Sequence, residues 1–242
     1  MAIYTVAIQK GGTGKTTTAA AIAQAAAYRG KRALAIDLDP QSNLSFALGA
    51  DANRPGSFDL LNGAAAADLV QHVHGVDVIP ASWNLSTITS GRGSARRLQR
   101  ALEPLKGRYS LIVIDTPPTA GELQYNALQA ATGLIIPLEA DIFNLQSLYQ
   151  MTNTARQIQK TNQGLEITGF LLTQFDGRST LARQLKDTIT TRAAAVGVPF
   201  LGVIRAAVAV KEAAALQQSL FEYAPKSKPA QDYLQIFDAL GI

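Results

Sequence analysis

The residues best suited to chemistry lie in three short clusters, each at the end of an apolar run. The first is Gln9-Lys10-Gly11-Gly12-Thr13-Gly14-Lys15-Thr16-Thr17-Thr18, after the run Ala2 to Ile8 and before an Ala-rich stretch. Glycines there let successive backbone N–H groups turn inward onto phosphate oxygens, and a helix starting at the loop presents its positive dipole end to the same anion. In such a loop Lys15 can reach β- and γ-phosphates, and the Thr16 hydroxyl is placed to ligate Mg²⁺. The second cluster is Asp37-Leu38-Asp39-Pro40-Gln41-Ser42-Asn43. Two carboxylates two residues apart past a strand are expensive to bury without cations, but beside a nucleotide with Mg²⁺ they have partners. The third is Ile114-Asp115-Thr116-Pro117-Pro118, where an apolar strand delivers one aspartate at its carboxyl end, near a Mg²⁺ shell, and two prolines break the chain.

These clusters need a scaffold of alternating strands and helices. Apolar runs at Ile3–Ile8, Arg32–Ile36, Val76–Ile79, Leu111–Ile114, Gly133–Pro137, Ile167–Thr173 and Phe200–Ile204 read as strands with helical patterns between them. The expected fold is α/β: a doubly wound, mostly parallel sheet flanked by helices, with ligands at the carboxyl ends of the strands. At 242 residues a single domain spanning 1–242 is expected. Ser94 to Lys106 reads as one helix with a basic face of Arg96, Arg97, Arg100 and Lys106, solvated or turned to DNA. Trp83 reads as a half-buried aromatic. The final helix, with Tyr233, Ile236, Phe237 and Leu240 at helical spacing and no basic residue, reads as core packing.

Composition narrows the chemistry. The chain has no cysteine, which excludes disulfides, thiolate zinc sites and cysteine-held iron–sulfur clusters. Its two histidines, His72 and His74, read as a solvated loop rather than a metal site. No signal peptide or apolar run of membrane-spanning length is visible, so a cytoplasmic protein is expected. A net charge of +4 permits a nucleic-acid partner without establishing one.

The first cluster has Gln9 where a standard phosphate loop carries glycine, and a second lysine, Lys10, five residues before Lys15. The form K-G-G-x-G-K-T-T resembles the deviant Walker A loop of the ParA/MinD family of ATPases, closest to the small ParA branch. The resemblance extends over nearly the whole chain, through Asp37-Leu38-Asp39-Pro40-Gln41, Ile79-Pro80-Ala81-Ser82, Asp115-Thr116-Pro117-Pro118, Asn126-Ala127-Leu128 and Gly169 to Ser179. It implies ATP held by Lys10, Gly11, Gly12, Thr13, Gly14, Lys15, Thr16 and Thr17. It implies Mg²⁺ at Thr16 with Asp37, Asp39 and Asp115, and water activation by Asp39. Lys10 would cross an ATP-sandwich homodimer to the partner's nucleotide, making Lys10, Lys15 and Asp39 the catalytic set. Where many relatives have Pro-Arg-Asn for the base, this chain has Arg205-Ala206-Ala207, leaving backbone groups or stacking on Arg205 to hold adenine. Arg178 resembles a dimer-interface or DNA-proximal cation, or pairs with Asp176.

Tyr223 to Lys228 resembles a segment whose basic residues face DNA. Pro225 and Pro229 are expected to hold Lys226 and Lys228 in an extended exposed turn, with Arg183, Lys186 and Lys211 extending the patch. The expected function is therefore ATP-dependent, sequence-independent DNA binding that positions a plasmid, chromosome or other cargo. A ParB-like partner or adaptor would stimulate hydrolysis, and the ATP state would associate with the nucleoid. A MinD-like membrane positioner, a tyrosine autokinase of related fold and a regulator without DNA binding are the alternatives. The absent basic amphipathic tail speaks against the first, and the separation of Tyr223 from Tyr233 against the second.

Overall fold

A computed structural model describes residues 1–89, 91 and 94–242. The carboxyl ends that carry the three clusters come from strands that lie side by side. The strands are β1 (Ala2–Val6), β2 (Ala33–Asp37), β3 (Gln71–Val73), β4 (Val76–Ile79), β5 (Leu111–Asp115), β6 (Gly133–Glu139), β7 (Glu166–Phe175) and β8 (Phe200–Arg205). They form one sheet in the order β3-β4-β2-β5-β1-β6-β7-β8, parallel except for the β3–β4 hairpin. The register places Asp115 opposite both Val6 and Asp37. The glycine loop after β1 and the two aspartates at the ends of β2 and β5 are therefore neighbours by construction.

Eleven α-helices cover the sheet among the described residues: α1 (Lys15–Tyr28), α2 (Asn43–Leu48), α3 (Ser57–Leu61), α4 (Ala66–Leu69), α5 (Arg97–Leu102), α6 (Glu122–Ala130), α7 (Asn144–Gln159), α8 (Thr180–Ala195), α9 (Val208–Ala215), α10 (Leu220–Tyr223) and α11 (Lys228–Ala239). Central strands are buried on both faces, so they read as continuous apolar runs, as parallel sheets require. Alternate residues feed opposite layers. Ala33 and Ala35 pack toward Ile22, Phe221 and Tyr233, whereas Leu34 and Ile36 pack toward Leu98, Leu102 and Ile112. A third cluster joins Ile8, Leu134, Phe170, Leu148 and Met151 under α7 and α8. Helix α1 is all but encircled; its alanines are the size that a strand-to-helix approach on one side and helix-to-helix approach on the other allow.

The structure corrects four local expectations. Residues 94–105 are not one helix but a 3₁₀ turn (Ser94–Arg96), the short α5 and a second 3₁₀ turn (Glu103–Leu105), in which Pro104 cannot continue α-helical hydrogen bonding. Trp83 is 67% exposed in a 3₁₀ turn after β4, rather than half-buried. His72 lies on strand β3, with Nδ1 2.7 Å from Asp77 Oδ1, and only His74 belongs to the turn. Lys228 is the first residue of α11, not part of an extended turn, so the final helix does carry a basic residue. Ser227 caps that helix, accepting from the Ala230 N–H, and Pro229 sits in its first turn, where no donor is needed. The rest of α11 is core packing as expected: Tyr233, Ile236 and Phe237 are buried. Among the described residues, no helix is long and apolar enough to cross a membrane.

Candidate nucleotide site

The glycine loop takes the shape that phosphate cradling needs. Gly12 and Gly14 have φ of 78° and 84°, the left-handed region that residues with a Cβ avoid. A Cβ on Gly14 would also stand 3.2 Å from Thr173 Cγ2. The end of β7 braces the loop from outside. Thr173 Oγ1 donates to the Thr13 carbonyl at 2.8 Å, and Gln174 Nε2 donates to the Gly12 carbonyl at 3.0 Å. Gly11, Gly12 and Gly14 line the cavity, as do Thr173 and Gln174. Buried Thr13 Oγ1 has no hydrogen-bond partner among the described residues. Gln9, where a standard loop has glycine, donates through Nε2 to Gln124 Oε1 and Thr154 Oγ1.

Helix α1 opens at the loop with Lys15, buried, its Nζ donating to the Lys10 carbonyl at 2.8 Å. Burial pulls the Lys15 pKa down, and the negative charges of Asp115 and Asp39 oppose that pull. Thr16 Oγ1 donates to Asp115 Oδ2 at 2.7 Å, closing the link between α1 and β5 that the register prepares.

The three carboxylates differ in their surroundings. Asp37 is fully buried; its Oδ1 accepts from the Asp39 N–H at 3.0 Å, and its Oδ2 from the Ser45 N–H and Oγ at 2.8 and 2.7 Å. Burial outweighs these bonds and pushes its pKa up to about 6. Asp115, also fully buried, is raised well above the ordinary carboxylate range, first by burial and then by the charge of Asp37. Asp39 is nearly buried, with Oδ1 accepting from the Gln41 N–H at 3.0 Å. Three acids face one buried lysine, an arrangement that favours a further cation. Among the described residues no cluster of three or more His, Cys, Asp or Glu side chains could hold a metal alone. That fits Mg²⁺, which takes one or two protein groups and completes its shell with phosphate oxygens and water. Thr16 and Asp39 line the cavity, and Asp115 and Asp37 are buried beneath them.

A cavity of ≈ 1050 Å³ opens over the loop, and Lys15, Thr16, Asp39, Arg205 and Lys211 all line it. Several of the cations singled out by sequence are held by acids. Lys10 Nζ is 3.6 Å from Asp141 Oδ2, and Arg178 pairs with Asp176 at 3.0 Å. Arg205 is held by Asp232 on α11, with Nη2 to Oδ1 at 2.5 Å, Nε 3.0–3.1 Å from both oxygens and the backbone N–H to Oδ2 at 2.9 Å. The basic residues proposed for DNA lie on several elements. Lys226 and Lys228 are exposed at the start of α11, Arg183 caps carbonyls of Gly177 and Arg178, and Lys186 lies by Asp187 at 3.7 Å on α8. Lys211 belongs to the nucleotide cavity wall instead. Asn126 caps: its Oδ1 accepts from the Leu98 N–H at the start of α5.

Sequence reasoning passed over Thr173, Gln174, Ser45, Asp141 and Asp232. The first two sit in the block Leu171-Leu172-Thr173-Gln174, whose polar pair ending an apolar strand was a usable signal. Asp232 lies in a block that resembles the family, but its pairing with Arg205, 27 residues away, is visible only in the fold.

Residues 1–167 match the family model described as an AAA domain. The chain is 35% identical to the sporulation initiation inhibitor protein Soj of Bacillus subtilis, covering 97% of this chain and 96% of that protein. It is 36% identical to the chromosome-partitioning ATPase Soj of Thermus thermophilus (96% and 92%), and 36% to the chromosome partitioning protein ParA of Caulobacter vibrioides (97% and 91%). The chain belongs to the Soj/ParA family of ATPases. Solved structures agree with that membership. A cobyrinic acid a,c-diamide synthase from Mycobacterium smegmatis, with bound ATP analog and magnesium, superposes with a TM-score of 0.86 at 31% identity, over 99% of this chain and 94% of that one. A Cyanothece McdA variant in complex with ATP superposes at 0.88 and 26% identity, over 100% and 97%. As a Soj/ParA member the chain is an ATPase, and its donor set fits ATP with Mg²⁺.

Proposed function

We propose that this ATPase forms an ATP-sandwich homodimer that binds DNA without sequence preference and thereby positions a plasmid, chromosome or other cargo. A ParB-like partner or other adaptor stimulates its hydrolysis. The observation that carries the reading is the convergence, in one cavity, of the glycine loop, buried Lys15, the Thr16–Asp115 bond and Asp39. In this reading residues 1–242 are one ATPase domain, cytoplasmic and nucleoid-associated in the ATP state.

The roles follow from charge and position. Backbone amides of Gly11, Gly12, Thr13 and Gly14, with Lys15, Thr16 and Thr17, hold the phosphates. Lys15 leaves the Lys10 carbonyl for the β/γ oxygens. Thr16 with Asp37, Asp39 and Asp115 would hold Mg²⁺, which would supply positive charge against the phosphates. Asp39 is the carboxylate nearest solvent and orients the attacking water. Lys10, about a third exposed and weakly paired, is free to exchange Asp141 for the partner's phosphates. Exposed Lys226 and Lys228 supply phosphate contacts to DNA, doubled by dimerisation, with Arg183, Lys186 and Lys211 as further cations.

Size-exclusion chromatography with ATP and Mg²⁺ against ADP tests the dimer. Asp39→Ala should accumulate dimer because turnover stops, and Lys10→Ala should bind ATP yet stay monomeric. ATP-dependent binding to unrelated duplexes across a salt series tests the DNA step. Lys226→Glu/Lys228→Glu should weaken binding and flatten the salt slope while dimerisation persists. A wild-type protein that stays monomeric in ATP refutes the sandwich.

A further inference from the structure

We propose that Gln174 is a positioning residue for nucleotide binding: it holds the phosphate loop by the Gly12 carbonyl before nucleotide arrives, and Glu139 holds Gln174. The inference rests on the nucleotide reading above and adds to it how that site is kept ready.

Gln174 has a φ of 52°, in the left-handed region, and it lies inside β7. The other non-glycine residues with positive φ among the described residues are Ser42, His74 and Gln217, and none of them is in a strand. At this point β7 stays in step with β6, with Glu139 opposite Thr173, but its pairing with β8 shifts between Leu172 and Phe175. A glutamine has no intrinsic preference for a left-handed φ within a strand, and such strain persists only where the surroundings fix it.

The conformation has a consequence for the loop. Successive residues of a regular strand direct their side chains to opposite faces. Here Thr173 and Gln174 both reach the same loop, at the adjacent carbonyls of Thr13 and Gly12. Gln174 Nε2 also donates to Glu139 Oε1 at 2.6 Å, so both amide hydrogens are used. Its two partners are oxygens that only accept, so the amide nitrogen is the one atom of this side chain that fits between them. Glu139 is fixed in turn: its carbonyl accepts from Asn144 Nδ2 at 3.0 Å and from the Asp141 N–H at 2.8 Å. Packing does not do this work for the loop, since a Cβ built on Gly11 or Gly12 would meet nothing within 4 Å. Glycines held by nothing would have to be ordered when the ligand binds, at a cost in affinity. The link from Glu139 through Gln174 to Gly12 orders that part of the loop beforehand.

Equilibrium binding of fluorescent ATP and ADP analogues to the full-length protein with Mg²⁺, alongside urea unfolding without nucleotide, tests this. Gln174→Gly removes the donor and relieves the φ, so stability should hold level while both nucleotides bind about two- to tenfold more weakly, the range of one hydrogen bond. Gln174→Met, of similar length with no donor, should lose affinity to the same extent. An equal loss for ATP and ADP supports an effect through the loop. A loss confined to ATP would place Gln174 on the γ-phosphate or on a partner protomer and overturn the proposal. Unchanged affinity for both, or affinity lost only in step with stability, overturns it too and leaves the nucleotide reading intact. A wild-type protein that binds neither analogue would instead remove the nucleotide reading, and this proposal with it. Glu139→Gln and Glu139→Ala both lack the charge, but only the first keeps an acceptor for Gln174. Glu139→Ala should therefore bind at least about twofold more weakly than Glu139→Gln; equal affinities would remove Glu139 from the link.

Discussion

A buried hydrogen bond joining the phosphate-loop helix to the C-terminal helix lends itself to a quantitative test. Thr18 Oγ1 on α1 and Tyr233 Oη on α11 are 3.2 Å apart, both residues are almost wholly buried, and 215 positions separate them in sequence. Burial pushes the Tyr233 phenol up to about 12, so it stays a neutral donor through the whole working range of pH. Tyr233→Phe removes only the hydroxyl; the ring keeps its place among Phe237, Ile22 and Ala230. The loss is then one neutral bond plus an orphaned Thr18 hydroxyl, about 1–3 kcal/mol. It falls toward the lower end if Thr18 turns to the Gly14 carbonyl, its own i−4 acceptor. Thr18→Val strands the phenol in the same way and should cost a similar amount. The double variant removes both polar groups, so its cost should be smaller than the sum by about 1 kcal/mol. Urea denaturation of all four proteins gives the cycle, and thermal unfolding should show about 2–4 °C per kcal/mol for a chain of this length. Single-variant losses that add within about 0.3–0.5 kcal/mol would refute the coupling.

Two further outcomes follow from the site. Gly14→Ala must place a Cβ at φ 84° and 3.2 Å from Thr173 Cγ2, so it should destabilise by about 1–2 kcal/mol from the backbone alone and weaken nucleotide binding. Unfolding curves with and without ATP check both effects. Asp37 and Asp115 carry raised pKa values, so each still holds a proton where an ordinary carboxyl is ionised. Their ionisation costs stability as pH rises from the ordinary carboxylate value toward about 6 for Asp37, and a bound Mg²⁺ favours the ionised forms. Mg²⁺-nucleotide binding should therefore release protons and weaken as pH falls from 7 through about 6. Calorimetry in buffers of different ionisation enthalpy reads the proton count; no release near pH 6 would contradict the raised values.

Most of the sheet was legible because its strands are buried on both faces and so write themselves as unbroken apolar runs. All seven expected strands exist, within a residue or two at each end. The hairpin strand β3 escaped notice because three residues, one of them an exposed histidine, carry no periodic signal. The basic helix expected over Ser94 to Lys106 failed for the opposite reason. Its apolar spacing is real, and Leu98, Leu102 and Leu105 are all buried, but Pro104 interrupts the backbone beneath a pattern that continues in the side chains. Trp83 was misread because size and hydrophobicity set a preference for burial, not a place for it.

The site divides along the same line. Glycine positions, Lys15, Thr16 and Asp115 were legible because the loop's geometry and the register of adjacent strand ends leave few alternatives; Asp115 faces Asp37 whatever else the chain does. The availability of a cation was not legible in that way. Lys10 and Arg205 looked available, whereas a pair with Asp176 was one of the readings for Arg178; all three are paired, but the pairings differ in consequence. Arg178 with Asp176 is local and solvent-exposed, so it constrains little. Lys10 with Asp141 is half-open at 3.6 Å and can exchange one anion for another. Arg205 with Asp232 is bidentate against a nearly buried acid, so it is the most firmly held of the three while still lining the cavity. A sequence shows that a guanidinium is present. Only the fold shows whether any of its hydrogen-bonding capacity remains for a substrate.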